Sequence, residues 1–110
     1  MSTMFYRGDP KSKSVFNDSG KSIDIAYHIK SHSKELSWGY CGSGPAQTAF
    51  AILLDFTQNQ SLTNKVYQEF KKDIISNFEV DEEFILTAEE IELFLDDIAD
   101  GYIINQRGAS

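Results

Sequence analysis

The chain has 110 residues, 41% of them hydrophobic and 13% aromatic, and a formal net charge of −7. That much apolar material suffices for one core, so residues 1–110 are expected to form a single domain. The acidic balance excludes general binding to nucleic-acid duplexes, which depends on cations displacing counterions from phosphates.

The apolar run Ala49–Leu54 is far too short to cross a bilayer, and the N-terminal residues lack the charged and apolar regions of a signal peptide. A cytoplasmic protein is expected. The lone cysteine, Cys41, has no partner for an internal disulfide, and structural zinc is excluded by the same count.

In chain order, residues 4–27 read as short strands at Met4–Arg7, Ser14–Phe16 and Ile23–Tyr27, broken by Gly8-Asp9-Pro10 and Asn17-Asp18-Ser19-Gly20. Ile23, Ile25 and Tyr27 alternate with the period of a half-buried strand, and the turn cluster before them predicts a hairpin. His28–Leu36 is polar and aperiodic, hence loop.

A helix is expected to open at Gly44 or Pro45, with proline at its first position, where a missing N–H costs nothing. Ala46, Ala49, Phe50, Leu53 and Phe56 form one face, while Ile52 and Leu54 reach around the other side, so this helix should be central and largely buried. A second helix is read over about residues 62–76, capped by Ser61 or Thr63 and carrying Leu62, Val66, Tyr67, Phe70, Ile74 and Ile75 on one stripe. A strand at residues 83–86 leads into Thr87-Ala88-Glu89-Glu90, a capping box, and a third helix that turns Ile91, Phe94, Leu95 and Ile98 inward and stops at Gly101. The expected fold class is α+β, with a small antiparallel sheet of about three to four short strands packed on a central buried helix and two further helices.

The stretch most unlike ordinary filler is Trp38-Gly39-Tyr40-Cys41-Gly42-Ser43-Gly44-Pro45-Ala46-Gln47. Gly42, Ser43 and Gly44 deliver the chain to a helix start whose free N–H groups, those of Ala46 and Gln47 above all, favour an anion at the positive end of the helix dipole. Trp38 and Tyr40 offer rings on which a flat ligand stacks. An anion beside a stacking surface points to a nucleotide. Tyr6 and Arg7, beside Gly8, supply a guanidinium suited to bidentate phosphate pairing.

Each residue also has a plainer role: Trp38 as core, Arg7 as an edge-strand arginine, Gln47 as a partner for loop backbone, and Gly-x-Gly-Pro as a way into a helix. The loop matches neither the Walker pattern nor the Gly-x-Gly-x-x-Gly fingerprint. Cys41 precedes the helix, where a thiolate is favoured, but no protease signature surrounds it and nothing fixes His28 or His32 beside it as a base. No catalytic residue, metal site or cofactor is assigned, and the protein is expected not to be an enzyme.

Tyr6-Arg7-Gly8, the Trp38–Gln47 stretch, Ala51-Ile52-Leu53-Leu54-Asp55, Tyr67-Gln68-Glu69-Phe70-Lys71 and Leu86-Thr87 before Ile91 together resemble the small DUF6166-type proteins of bacteria and their phages. The likeness spans most of the chain, and Ser43–Gln47 is its most specific part. Cys41 stands where the pattern more often has another residue, which argues against a shared thiol chemistry. The resemblance implies a shared architecture and a shared loop, with no assigned reaction.

Occurrence in phages implies two modes of action. In the first, the protein sequesters an anionic nucleotide, such as a cyclic dinucleotide, through Tyr6, Arg7, Trp38, Tyr40, Gly42, Ser43, Gly44, Ala46 and Gln47, as a counter-defence sponge. In the alternative, the acidic C-terminal helix, with Glu89, Glu92 and Asp96, inhibits or regulates a host protein through a basic surface. A homo-oligomer would suit a ligand site built between subunits, although no heptad or clear strand edge predicts one.

Overall fold

The computed structural model describes residues 4–108, and the side chains of residues 4–98. Its elements are β1 (Phe5–Asp9), β2 (Ser14–Phe16), α1 (Ser43–Thr57), α2 (Gln60–Asp73), a short 3-10 helix (Ile75–Asn77), β3 (Phe84–Thr87) and α3 (Ala88–Gly108). The strands form an antiparallel three-stranded sheet in the order β2-β1-β3, so the fold is α+β as expected.

Arg7 stands opposite Phe16 on one side and Ile85 on the other. Strand alternation then sends Tyr6, Val15, Phe84 and Leu86 into the core and leaves Arg7 and Ile85 on the other face. Gly8 is required by a close approach, since a Cβ there would overlap the Phe84 ring. Phe84 is wedged in turn by an edge-on Trp38 at 4.7 Å and a stacked Phe78 at 4.3 Å.

The expected strand at Ile23–Tyr27 does not form. Asn17 builds the predicted turn, its Oδ1 accepting from the N–H groups of Ser19 and Lys21. The chain returns only for a bridge between Phe16 and Ser22 and a 2.9 Å bond from the Ile23 N–H to the Val15 carbonyl. Asp24 Oδ1 then accepts the Ala26 N–H, and Ala26 takes a left-handed φ of 63°, which no strand tolerates. Of the alternating set, Ile23 is buried, Ile25 is half-buried and Tyr27 is exposed, while the off-phase Ala26 turns into the core, so the alternation ends where the chain bends.

α1 is the central helix, buried from Gly44 to Leu53. It begins at Ser43, which places Pro45 third and not first; the proline still costs no bond, because first-turn N–H groups lack intrahelical acceptors. At its other end Gln58 turns left-handed with φ 53°. Asn59 is therefore already extended and caps α2 through a 3.0 Å bond from the Leu62 N–H, the role expected of Ser61 or Thr63. Thr63 instead buries its hydroxyl against the Asn59 carbonyl at 2.8 Å.

The capping box forms as read, with Glu90 Oε1 accepting from the Thr87 N–H and the Glu90 N–H donating to Thr87 Oγ1. α3 does not stop at Gly101 but runs on to Gly108, since an interior glycine costs only about 1 kcal/mol and no proline follows it. Ile91 and Phe94 are buried as expected, and Phe94 meets Phe70 of α2 at 4.9 Å. The side chain of Asp100, one of the C-terminal acids, lies outside the described residues.

β1 is tied to α1 by Tyr6, fully buried, whose hydroxyl donates to Asp55 Oδ2 at 2.6 Å. Burial first, and then the hydrogen bond to Asp55, hold this phenol far above the ordinary tyrosine range. A raised acid pKa means that the folded state keeps a proton the unfolded state releases near pH 10, so this stability is complete below about pH 10 and lost as pH rises beyond it. Urea midpoints of the wild type should therefore fall steeply above about pH 10, and Tyr6→Phe, at a cost of about 1–3 kcal/mol at neutral pH, should flatten that fall. Parallel pH profiles for the two proteins would remove Tyr6 from this role.

Candidate functional site

Residues 36–44 fold back over the start of α1. Ser37 anchors them: its N–H donates to Thr48 Oγ1 at 2.9 Å, and its carbonyl accepts from the same hydroxyl at 2.7 Å. Gly39 turns the chain with φ +91° and donates its N–H to the Ile75 carbonyl at 3.1 Å. Gly44 runs directly beneath Ser37 and Tyr40, whose hydroxyls lie 2.9 Å apart, and a Cβ there would collide with Ser37 Oγ.

This folding opens a cleft of about 190 Å³ lined by Pro10, Lys13, Leu36, Ser37, Trp38, Tyr40, Val80 and Asp81. Tyr40 is half exposed at 47% and presents both a ring and a hydroxyl. Lys13, set in the β1–β2 turn with φ 56°, brings an ammonium, and Asp81 a carboxylate.

The residues singled out in the sequence are only partly gathered here. Trp38 and Tyr40 line the cleft, with Ser43 exposed and Gly42 half-buried at the adjoining start of α1. Trp38 is spent on the core: it is 3% exposed and donates its indole N–H to the Glu82 carbonyl at 2.7 Å. Ala46 is buried, and its N–H, expected to be free, donates to the Gly42 carbonyl at 3.0 Å. The first-turn donors left over belong to Ser43 and Gly44, for which no acceptor is present among the described residues.

Gln47 is fully buried and serves the loop backbone. Its Oε1 accepts from the N–H groups of His32 at 2.9 Å and Ser33 at 3.1 Å, and its Nε2 donates to the Ile25 carbonyl at 2.7 Å. Arg7 is on the sheet face opposite the core, over the Phe16 ring at 4.9 Å and paired with Glu83 at 3.1 Å. Strand alternation thus separates it from Tyr6, which points inward to Asp55, and the fold joins neither residue to the glycine loop.

Sequence reasoning missed Lys13, Ser37, Val80 and Asp81. Lys13 follows a clear turn signal, but nothing local marks residues 80–81 as neighbours of residue 38. Cys41 is exposed, and among the described residues no hydrogen bond joins it to a histidine. On α3, Glu89, Glu92 and Asp96 are exposed on one stripe, as spacings of three and four residues require. That stripe includes Leu93, itself 61% exposed. Among the described residues no helix is long and apolar enough to cross a membrane.

A family model described as a family of unknown function, DUF6166, matches residues 6–97, which takes in the sheet, α1, α2 and the first half of α3. No curated protein and no solved structure gives a match.

Proposed function

The chain belongs to DUF6166, a family of unknown function, and we propose that it is a non-enzymatic binding protein for a small anionic ligand with a flat ring, such as a nucleotide. The observation that supports this reading is the cleft itself, where a half-exposed aromatic ring, an ammonium and two hydroxyls meet beside the start of the central helix. Tyr40 is the stacking surface and Lys13 the phosphate partner, with the Ser43 and Gly44 N–H groups nearby at the positive end of α1. Asp81 turns a phosphate toward the Lys13 side and suits a ribose hydroxyl.

The volume of the cleft, about 190 Å³, limits what it can enclose. Ligand pockets usually start at roughly 300 Å³, so this one takes a single ring-sized group and leaves the remainder over its rim. A cyclic dinucleotide would fill it with one base only. The mode of action is stoichiometric: the ligand is sequestered and released unchanged, which in a phage or mobile element would serve counter-defence.

Calorimetric titration with mononucleotides and cyclic di- and trinucleotides, followed by chromatography of the ligand, tests this. Binding with intact ligand is expected, and Tyr40→Ala and Lys13→Glu should each weaken it at least about tenfold, or about 1.4 kcal/mol. A cleaved ligand would make the protein an enzyme and overturn the reading.

Silence across the panel would favour a second reading, in which the Glu89, Glu92 and Asp96 stripe meets a basic surface of a host protein. The exposed Leu93 inside that stripe supports it, because an apolar centre ringed by charge is the usual layout of a protein contact.

A further inference from the structure

Residues 28–34, His-Ile-Lys-Ser-His-Ser-Lys, concentrate basic side chains in an acidic protein. Gln47 fixes this segment against α1 through the N–H groups of His32 and Ser33. The Lys30 ammonium lies 5.6 Å from the centroid of the Phe50 ring and 5.5 Å from that of Tyr67, between α1 and α2. Two π faces hold its position without neutralising its charge.

Beside it, His32 Nε2 is 2.7 Å from the Tyr67 hydroxyl, whose oxygen also accepts from Gln68 Nε2 at 3.1 Å. The Tyr67 hydroxyl oxygen can accept from both side chains or donate its own hydrogen to His32 Nε2, and among the described residues no hydrogen bond engages His32 Nδ1. Lys71 follows Tyr67 by one turn on the same face of α2. Partial desolvation first, and then the charges of Lys30 and Lys71, hold His32 below the usual histidine range.

No ion pair within 4.0 Å involves these groups among the described residues. Among the described residues the ion pairs within 4.0 Å are Arg7 with Glu83 at 3.1 Å and Lys72 with Glu69 at 3.7 Å. Among those residues, Lys30 and Lys71 thus lack a carboxylate in a chain with 17 acidic residues against 10 lysines and arginines. Repulsion among cations is retained only at a cost, and a bound anion would relieve it.

We propose that Lys30, His32 and Lys71 form a binding site for a phosphate-type oxyanion, either inorganic phosphate or the phosphate of a nucleotide, between residues 28–34 and α2. The two ammonium groups supply charge, and the His32 imidazolium, in which both ring nitrogens are donors, supplies a directed hydrogen bond from Nδ1–H. None of the three residues lines the Tyr40 cleft, so this site stands or falls independently of the function proposed above.

The test is histidine side-chain NMR during titration with inorganic phosphate, against sodium chloride at matched ionic strength. Phosphate should raise the His32 pKa by about one unit, because a bound anion favours the imidazolium, and should leave His28 unmoved. The double substitution Lys30→Gln and Lys71→Gln should weaken phosphate binding at least tenfold with unchanged circular dichroism, whereas Lys65→Gln, elsewhere on α2, should not. Adenosine monophosphate in place of phosphate separates the two sources: tighter binding than phosphate identifies a nucleotide, equal binding the free ion. A His32 response no larger with phosphate than with chloride, or a response preserved in the double variant, overturns the proposal.

Discussion

Gln47→Ala is expected to destabilise the protein by about 3–5 kcal/mol, seen as a large fall in the urea midpoint, although Gln47 sits in a stretch that reads as a ligand loop. The amide is fully buried in α1 and bonds the His32 and Ser33 N–H groups and the Ile25 carbonyl. Residues 21–35 contain no helix or strand of their own, so these bonds replace the ladder that the segment lacks. Removing the amide strands backbone groups at about 1–3 kcal/mol each and leaves a cavity as well.

Gln47→Met keeps most of the volume and loses all three bonds, so it should recover the cavity part of the loss and little more. Both variants should also weaken phosphate binding at Lys30 and His32, since Gln47 positions that segment. A loss under about 1 kcal/mol for Gln47→Ala would show that residues 25–33 are held by other contacts.

Gly39→Ala is expected to cost a comparable amount, about 3–5 kcal/mol, for two separable reasons. Its φ is +91°. That region is strained for any residue with a Cβ, at about 1–2 kcal/mol. A Cβ would also lie 2.6 Å from both the Cα and the N of Val80 and 2.9 Å from the Phe78 carbonyl oxygen. Those are backbone atoms, so no side-chain rotation relieves the contact, and the 36–42 loop must move away from residues 78–80.

Gly20→Ala isolates the first reason. Its φ is +84°, yet nothing lies within 4 Å of the added carbon. Only the backbone term then remains, and a cost of about 1–2 kcal/mol is expected. Equal losses at the two positions would show that the loop and residues 78–80 are not in fixed contact. Because Trp38 and Val80 both line the cleft, Gly39→Ala should also abolish any ligand binding there.

Local chemistry determined much of this protein from sequence alone. The apolar faces of α1, α2 and α3, the Asn17 turn and the Thr87–Glu90 capping box rest on residues within a turn or two of one another, and their spacing is visible in the chain. The same locality explains the error at Ile23–Tyr27, where a bond from the Ala26 N–H to the Asp24 carboxylate and the left-handed Ala26 broke the strand, burying Ala26 and leaving Tyr27 exposed.

What only the tertiary structure decided are the meetings of residues far apart in sequence. Trp38 reaches Glu82 across 44 positions and Tyr6 reaches Asp55 across 49, and these contacts made core anchors of two candidate ligand residues. Strand register put Arg7 on the far face of the sheet, away from the glycine loop. Lys13 and Asp81 came to the cleft, and Lys30 to the rings of Phe50 and Tyr67, by the same long-range packing. Periodicity and capping report which side of an element is apolar, but not which distant element covers it; that choice is made by core packing as a whole, and it decided which polar side chains were left facing solvent together.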